Sequence, residues 1–231
     1  MTRVFVIHGW TYNLDKWNEL ILELKMRDIE PVMLKVPGLT EPSDEVWDIN
    51  GYVKWLDEKL AGENKPIVIG HSNGGRIAMS YIQSHPGRLK QLILIDSAGI
   101  AHNQRRSIVK LKVLKVISKI GKIFSFIPPI RKLFYKVIGA QDYLNAPPNM
   151  RLTMQNMLKA DQSIKFNEID LPVTIIWGRR DSITPLTDGQ ELKIKLKGSQ
   201  LIVIDEARHA PMATHAVQVA DIIANSIKQT K

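Results

Sequence analysis

Six short apolar runs rich in β-branched residues recur along the chain and constrain its fold more than any other feature. They read RVFVI (3–7), PVMLKV (31–36), PIVIG (66–70), LILID (92–96), VTIIW (173–177) and LIVID (201–205). Segments with helical spacing lie between most of these runs: Trp17, Leu20 and Leu24 share one helix face, and residues 216–227 form a C-terminal helical pattern. Runs that are apolar on both faces and alternate with helices indicate a parallel sheet covered by helices on each side. The sequence therefore predicts a doubly wound α/β core with a mostly parallel six-stranded sheet.

One long segment interrupts this alternation of strands and helices. From Ala101 to about Glu168 the sequence has no strand-like run but several helical ones, broken at the proline pairs 128–129 and 147–148. We therefore expect a helical cap over residues 101–168, inserted into a core formed by residues 1–100 and 169–231. A chain of 231 residues is long enough for roughly one such domain.

Composition excludes several kinds of site. The chain has no cysteine, so disulfides, a thiolate nucleophile and a zinc–cysteine site are all ruled out. None of the six histidines shows the spacing of paired metal ligands, so we expect no metal. The first apolar run stops at His8 and Gly9, which fits neither a signal peptide nor a membrane span and favours a cytoplasmic location.

The stretch IVIGHSNGG (67–75) sets a single serine at the point where a predicted strand turns into a helix. Ser72 stands between Gly70 and Gly74, two residues away on either side. A turn tight enough to hold a hydroxyl clear of the backbone strains the serine and leaves almost no room at those two positions. The helix that follows directs its free N–H groups toward any anion formed beside Ser72.

A serine hydroxyl is a poor nucleophile until a base removes its proton, and the base needs an acid to orient it. Asp181 follows the run VTIIWG, and His209 follows LIVIDEA, so both should project from the same sheet edge as Ser72. Asp96, after LILI, also lies at a strand end and is a competing acid. The WGxxD context and the distance to His209 favour Asp181.

Four motifs in this order resemble those of the α/β-hydrolase superfamily: HGW (8–10), GHSNGG (70–75), WGRRD (177–181) and ARHAP (207–211). The resemblance covers the whole chain apart from the cap. It implies that Ser72 is the nucleophile, that His209 is the general base and then the general acid, and that Asp181 orients His209. The chain starts at RVFVIHG without the antiparallel hairpin usual in this superfamily, which is why six strands are expected.

The same resemblance implies an oxyanion hole made by two backbone N–H groups, those of Trp10 and Asn73. It implies a carboxylesterase-like serine hydrolase that acts on apolar, small-to-medium esters through an acyl-enzyme on Ser72, with a small-molecule ester substrate and no cofactor. Two alternatives stay open: a hydrolase that cleaves carbon–carbon bonds with the same triad, and a non-catalytic module that binds a small ligand. The oligomeric state is left open as well.

The net charge of +9 is concentrated in the predicted cap. Ten lysines and arginines and no acid lie between residues 101 and 136, whereas the other 22 basic residues are balanced by 23 acidic ones. Residues 105–124 read as an amphipathic basic helix. It could be a lid whose apolar face covers the active site, a surface for peripheral contact with anionic membranes, or an electrostatic funnel for acidic substrates. Nucleic-acid binding is disfavoured because no recognition motif accompanies the charge.

Overall fold

The computed structural model describes residues 1–101 and 146–230, in which helices surround a single sheet. The strands are β1 (Thr2–Ile7), β2 (Ile29–Leu34), β3 (Ile67–His71), β4 (Gln91–Ile95), β5 (Val173–Gly178) and β6 (Gln200–Ile204). The helices are α1 (Asn18–Lys25), α2 (Ile49–Lys59), α3 (Asn73–Ser84), α4 (Pro148–Ala160), α5 (Leu186–Lys195), α6 (Pro211–Thr214) and α7 (Ala216–Gln229).

All six strands are parallel, and their order across the sheet is β2-β1-β3-β4-β5-β6. This confirms the predicted doubly wound, six-stranded core. The chain adds β2 on one side of β1 and then returns to add β3 on the other side. Loops that leave the carboxyl ends of β1 and β3 diverge at this reversal, which is where open α/β sheets bind ligands.

Side chains of alternate residues enter two separate apolar clusters, one on each face of the sheet. In β1, Phe5 and Ile7 belong to one cluster, and Val4 and Val6 belong to the other. The first cluster packs against α2 and α3, and the second packs against α1 and α7. Burial of each such side chain contributes about 1.5–3 kcal/mol, so the sheet is a rigid base for the loops at its carboxyl edge.

The strand β2 begins and ends two residues earlier than the sequence run suggests. It covers Ile29–Leu34 instead of 31–36, and Pro31 lies inside it, opposite Val4 of β1. Proline lacks an N–H and is tolerated in a strand mainly at the edge of a sheet. Because β2 is the outermost strand, its free side needs no donor at this position.

Between β4 and β5 the described part of the predicted cap is helical. The helix α4 starts at Pro148, the second residue of the proline pair 147–148, and two short 3-10 turns follow at Asp161–Ser163 and Phe166–Glu168. The basic helix expected over residues 105–124 lies outside the described residues, and so does its proposed contact with anionic membranes. The boundaries at residues 101 and 168 stay a prediction. Within the described residues, no helix is long and apolar enough to cross a bilayer.

Candidate active site

Ser72 occupies a strained corner between β3 and α3. Its φ is +51° and its ψ is −119°, a backbone conformation that residues other than glycine rarely adopt. Backbone hydrogen bonds hold it there: its N–H donates to the Ile95 carbonyl, and its own carbonyl accepts from the N–H groups of Gly75 and Ala98 at 3.0 Å each. The hydroxyl is thereby carried out of the strand and above the start of α3.

The two glycines that flank Ser72 sit where no side chain would fit. A Cβ at Gly70 would lie 2.6 Å from the Cα of Gly75, and a Cβ at Gly74 would overlap the backbone carbonyl of Ile7. Strand β3, helix α3 and the end of β1 therefore approach one another with backbone against backbone. This close approach is the physical reason for the spacing of glycine and serine in GHSNGG.

Three residues from distant parts of the chain meet at the carboxyl edge of the sheet. The Nε2 atom of His209 lies 3.1 Å from Ser72 Oγ, and its Nδ1 lies 2.7 Å from Asp181 Oδ2. A carboxylate can only accept, so the proton of the neutral imidazole lies on Nδ1. Nε2 is then left to accept the proton of the serine hydroxyl. This arrangement can generate a serine nucleophile.

Hydrogen bonds keep Asp181 ionised although it is 6% exposed. Oδ1 accepts from the N–H groups of Ile183 and Thr184, and Oδ2 accepts from the Thr184 hydroxyl at 2.7 Å. Burial acts to raise the pKa of Asp181. The hydrogen bond and charge of His209, together with the hydrogen bonds from Thr184 and Ile183, outweigh burial and lower the pKa. Asp181 thus carries the negative charge that an imidazolium at residue 209 would need.

Comparison with known proteins identifies the family of this chain. The family model described as "Serine aminopeptidase, S33" matches residues 2–214. The chain belongs to this family of α/β-hydrolases. It is 25% identical over 243 residues to the pimeloyl-[acyl-carrier protein] methyl ester esterase of Neisseria meningitidis serogroup A, covering 98% of this chain and 77% of that protein.

Solved structures support the same fold. An esterase from Exiguobacterium antarcticum aligns with a TM-score of 0.72 at 16% identity, covering 99% of this chain and 92% of that one. An α/β-hydrolase enzyme from the sediment metagenome of the Mar Chica lagoon aligns with a TM-score of 0.72 at 17% identity, covering 99% and 91%. The protein is therefore an enzyme with the α/β-hydrolase fold.

The competing acid, Asp96, does not reach the imidazole in this hydrolase. Its Oδ1 accepts the N–H of Gly178 at 2.8 Å, and its Oδ2 has no partner among the described residues. Burial raises the pKa of Asp96 to about 8, and the charge of Asp181 adds to the rise while the Gly178 bond opposes it. Asp96 thus ties the end of β4 to the end of β5. A potential metal-ligand atom from each of Asp96, Asp181 and His209 lies within 4.8 Å of the other two. Asp181 and His209 are joined to each other by a hydrogen bond.

His71, the residue before the serine, supports the loop that carries His209. Its Nε2 donates to the backbone carbonyl of His209 at 2.8 Å, and the two rings lie 4.9 Å apart. Burial, together with the neighbouring His209, lowers the pKa of His71 to about 3. The ring is therefore neutral, with its proton on Nε2. Sequence reasoning recognised neither this contact nor the bond from Thr184 to Asp181.

The two backbone N–H groups expected to form the oxyanion hole are both available. Within residues 1–101 and 146–230, neither the Trp10 nor the Asn73 backbone N–H donates a hydrogen bond. His8 fixes the first loop, because its Nδ1 donates to the Gly9 carbonyl at 2.7 Å and its Nε2 accepts from Thr40. A Cβ at Gly9 would lie 2.8 Å from Ser72 Cβ, so this loop packs directly on the serine.

A cavity of about 260 Å³ opens beside Ser72 between the core and α4. Its apolar wall includes Ile100, Met154 and Met157. Its polar wall includes Asn73, Arg76 and Asp161. Arg76, which is 5% exposed, makes a bidentate ion pair with Asp161: its Nε and Nη2 lie 2.5 and 2.9 Å from the two carboxylate oxygens. This ion pair joins α3, the helix that follows Ser72, to the 3-10 turn after α4. The two residues are 85 positions apart, and no local sequence pattern indicates the contact.

Proposed function

We propose that this protein is a carboxylic ester hydrolase that works through an acyl-enzyme on Ser72. The observation that carries the proposal is the chain of hydrogen bonds from Ser72 Oγ through His209 to Asp181, next to a cavity with an apolar wall. The size of that cavity favours apolar esters with small-to-medium acyl or alcohol groups. The Neisseria relative, whose name describes a methyl ester esterase, supports the same class of reaction.

In the first half of the reaction, Nε2 of His209 takes the proton of Ser72 as Oγ attacks the ester carbonyl carbon. The negative charge that develops on the carbonyl oxygen is bound by the backbone N–H groups of Trp10 and Asn73. Each such donor contributes about 3 kcal/mol to transition-state stabilisation. His209 then gives its proton to the alcohol oxygen, the carbon–oxygen bond breaks, and the alcohol leaves.

In the second half, water replaces the alcohol. His209 removes a proton from the water as its oxygen attacks the acyl carbon, and the same proton returns to Ser72 Oγ when the carboxylic acid departs. Asp181 holds the imidazole in the required tautomer throughout and stabilises its positive charge. No step needs a cofactor, since all proton transfers run through His209.

A fluorophosphonate probe tests the nucleophile directly. We expect covalent labelling of the wild type and of the control variant Ser84→Ala, whose serine is exposed at the end of α3, but no labelling of Ser72→Ala. Failure to label a correctly folded wild type would contradict the proposal and favour a module that only binds a ligand.

A series of p-nitrophenyl esters tests the reaction class and the cavity. We expect turnover to be fastest for acyl chains that fit the cavity beside Ser72, such as butyrate or hexanoate, and to fall for palmitate. Labelling of Ser72 together with inactivity toward every ester would instead favour the alternative in which the same triad cleaves a carbon–carbon bond.

A further inference from the structure

The side chain of Thr184 contacts both residues that support the catalytic serine. Its Oγ1 lies 2.7 Å from Asp181 Oδ2 and 3.2 Å from His209 Nδ1, and these two atoms are 2.7 Å from each other. The backbone carbonyl oxygen of Asp96 lies 3.2 Å from the same hydroxyl. The side chains of Thr184, Asp181 and His209 therefore form a closed triangle of polar atoms on the Nδ1 side of the imidazole.

These neighbours determine where the Thr184 hydroxyl hydrogen points. Nδ1 of His209 already carries a proton, so only Asp181 Oδ2 and the Asp96 carbonyl can accept the hydrogen. The carboxylate oxygen is the closer of the two and is charged, and hydrogen bonds to charged acceptors are the stronger ones. The hydroxyl therefore donates to Asp181 Oδ2, and its oxygen lone pairs face the Nδ1–H group of His209.

The fold holds Thr184 in this position before any substrate binds. The residue is 8% exposed, and its backbone N–H donates to Asp181 Oδ1 at 3.1 Å. Its backbone carbonyl accepts the indole N–H of the fully buried Trp177 at 3.0 Å, which ties the residue to β5. A β-branched side chain also has few χ1 rotamers. The hydroxyl is therefore anchored to the core of the sheet.

The two oxygens of Asp181 are held by different groups. Oδ1 accepts from the backbone N–H groups of Ile183 and Thr184, whereas Oδ2, which contacts the imidazole, accepts from the Thr184 hydroxyl. A rotation of the carboxylate that takes Oδ2 away from Nδ1 would therefore also break the Thr184 bond. Burial raises the pKa of Asp181, His209 lowers it, and the Thr184 hydroxyl adds to the lowering. A carboxylate with a lower pKa is a weaker base and holds an imidazolium less tightly.

Resting on the ester hydrolase function proposed above, we propose that Thr184 is a positioning residue for the reaction. Its hydroxyl holds Asp181 Oδ2 against His209 Nδ1 and so keeps the imidazole aligned with Ser72. The alignment is needed in both halves of the reaction, because the proton leaves Oγ for Nε2 in the first half and returns to Oγ in the second. This role requires the hydroxyl and not the shape of the side chain.

Two substitutions separate the hydroxyl from the shape. Thr184→Val keeps the branched shape and removes the hydroxyl, so kcat for p-nitrophenyl butyrate should fall about tenfold while KM changes less than about twofold. Thr184→Ser keeps the hydroxyl and should stay within about threefold of the wild-type kcat. Thr174→Val is the matched control, because Thr174 is also buried but its hydroxyl bonds to Ser226. A wild-type kcat in Thr184→Val, or equal losses in Thr184→Val and Thr184→Ser, would overturn the proposal.

The pH dependence of kcat/KM is a second measurement, which a loss of packing would not change. Without the Thr184 bond the Asp181 carboxylate is a stronger base and stabilises the protonated imidazole more, so the acidic limb should move to higher pH by about 0.5–1 unit. Asp96 and His71 also lie beside the imidazole. Burial raises the pKa of Asp96 to about 8 and lowers that of His71 to about 3, so neither changes its charge between about pH 4 and about pH 7. An acidic limb that does not move in Thr184→Val would refute the role of the hydroxyl.

Spectroscopy separates this proposal from the catalytic one, because it needs no turnover. In proton–nitrogen correlation spectra of protein labelled at histidine, the Nδ1–H resonance of His209 is assigned by its absence in His209→Gln. It should shift in Thr184→Val and stay in place in Thr174→Val. A shift in a protein that hydrolyses no ester would refute the catalytic function and support the contact of Thr184 with the imidazole and its carboxylate. Hydrolysis that requires Ser72, together with an unshifted resonance, would refute the role of Thr184 alone.

Discussion

Replacing Asp96 by asparagine should make the stability of this hydrolase less dependent on pH. The Asp96 carboxyl has no exposed surface, and one of its oxygens has no partner among the described residues. Burial raises its pKa from 3.8 to about 8, and the nearby charge of Asp181 adds to the effect. At neutral pH the group is therefore protonated in the folded protein and ionised in the unfolded chain.

The sign of the effect follows from proton binding. Between pH 3.8 and about 8 the folded state holds a proton on Asp96 that the unfolded state has released, so the free energy of unfolding falls as pH rises. The contribution is fully present below the unfolded pKa and is lost once pH passes the folded pKa. A difference of about 4 pKa units corresponds to about 5 kcal/mol at 1.36 kcal/mol per unit. Local opening that admits water limits the loss, so we expect about 2–5 kcal/mol.

Asp96→Asn removes the titratable carboxyl group. It keeps the hydrogen bond to Gly178, because the amide oxygen can still accept that N–H. Urea unfolding followed by tryptophan fluorescence, at a series of pH values from about 5 to about 9, gives the free energies for both proteins. From about pH 5 to about pH 9, the free energy of unfolding of the variant should rise by about 2–5 kcal/mol relative to that of the wild type. The exposed Asp44→Asn removes an equal charge outside the core and should show no such trend. Parallel curves for Asp96→Asn and wild type would refute the reasoning.

Three further predictions concern the site and the residues that support it. Asp181→Asn should lower kcat for ester hydrolysis by ~10⁴-fold in a steady-state assay, because the imidazole loses the acceptor that sets its tautomer. Gly74→Ala should abolish the native melting transition, since the added Cβ would overlap backbone atoms. Gly87→Ala is the comparison: its Cβ would enter open space and only the φ of +75° opposes it, so the free energy of unfolding should fall by about 1–2 kcal/mol. Asp161→Asn should lower the free energy of unfolding in urea by about 3–5 kcal/mol, because the buried Arg76 loses its counter-charge; an undiminished value would contradict this.

Much of the fold could be predicted because strands buried on both faces leave an unbroken apolar signal. The runs at β3, β4 and β5, in the middle of the sheet, match the observed strands to within one residue at each end. The edge strand β2 deviates by two residues, because its free side accommodates Pro31 and its pattern is less apolar. The other edge strand, β6, matches its run to within one residue at each end, so the deviation is specific to the strand that contains Pro31.

The approach of Ser72, Asp181 and His209 could be expected from the sequence because the carboxyl ends of parallel strands share one edge. Contacts that depend on side-chain packing could not. The bond from His71 to the His209 carbonyl spans 138 positions, and the ion pair of Arg76 and Asp161 spans 85. Nothing in either local sequence indicates the partner. These contacts decide how firmly the reacting groups are held, so the chemistry is more predictable than its support.

Hydrogen bonds to the neighbouring strands, and not the turn alone, hold Ser72 in its strained backbone conformation. Ser72 and Asp96 both have positive φ, +51° and +41°, at the ends of adjacent strands. Each donates its N–H to the next strand in the sheet, Ser72 to Ile95 and Asp96 to Ile176, and the Ser72 carbonyl accepts from Ala98. A strained residue persists only where its surroundings over-determine its conformation. The buried strands β3, β4 and β5 supply that constraint, so apolar packing in the middle of the sheet keeps the serine hydroxyl within reach of the imidazole.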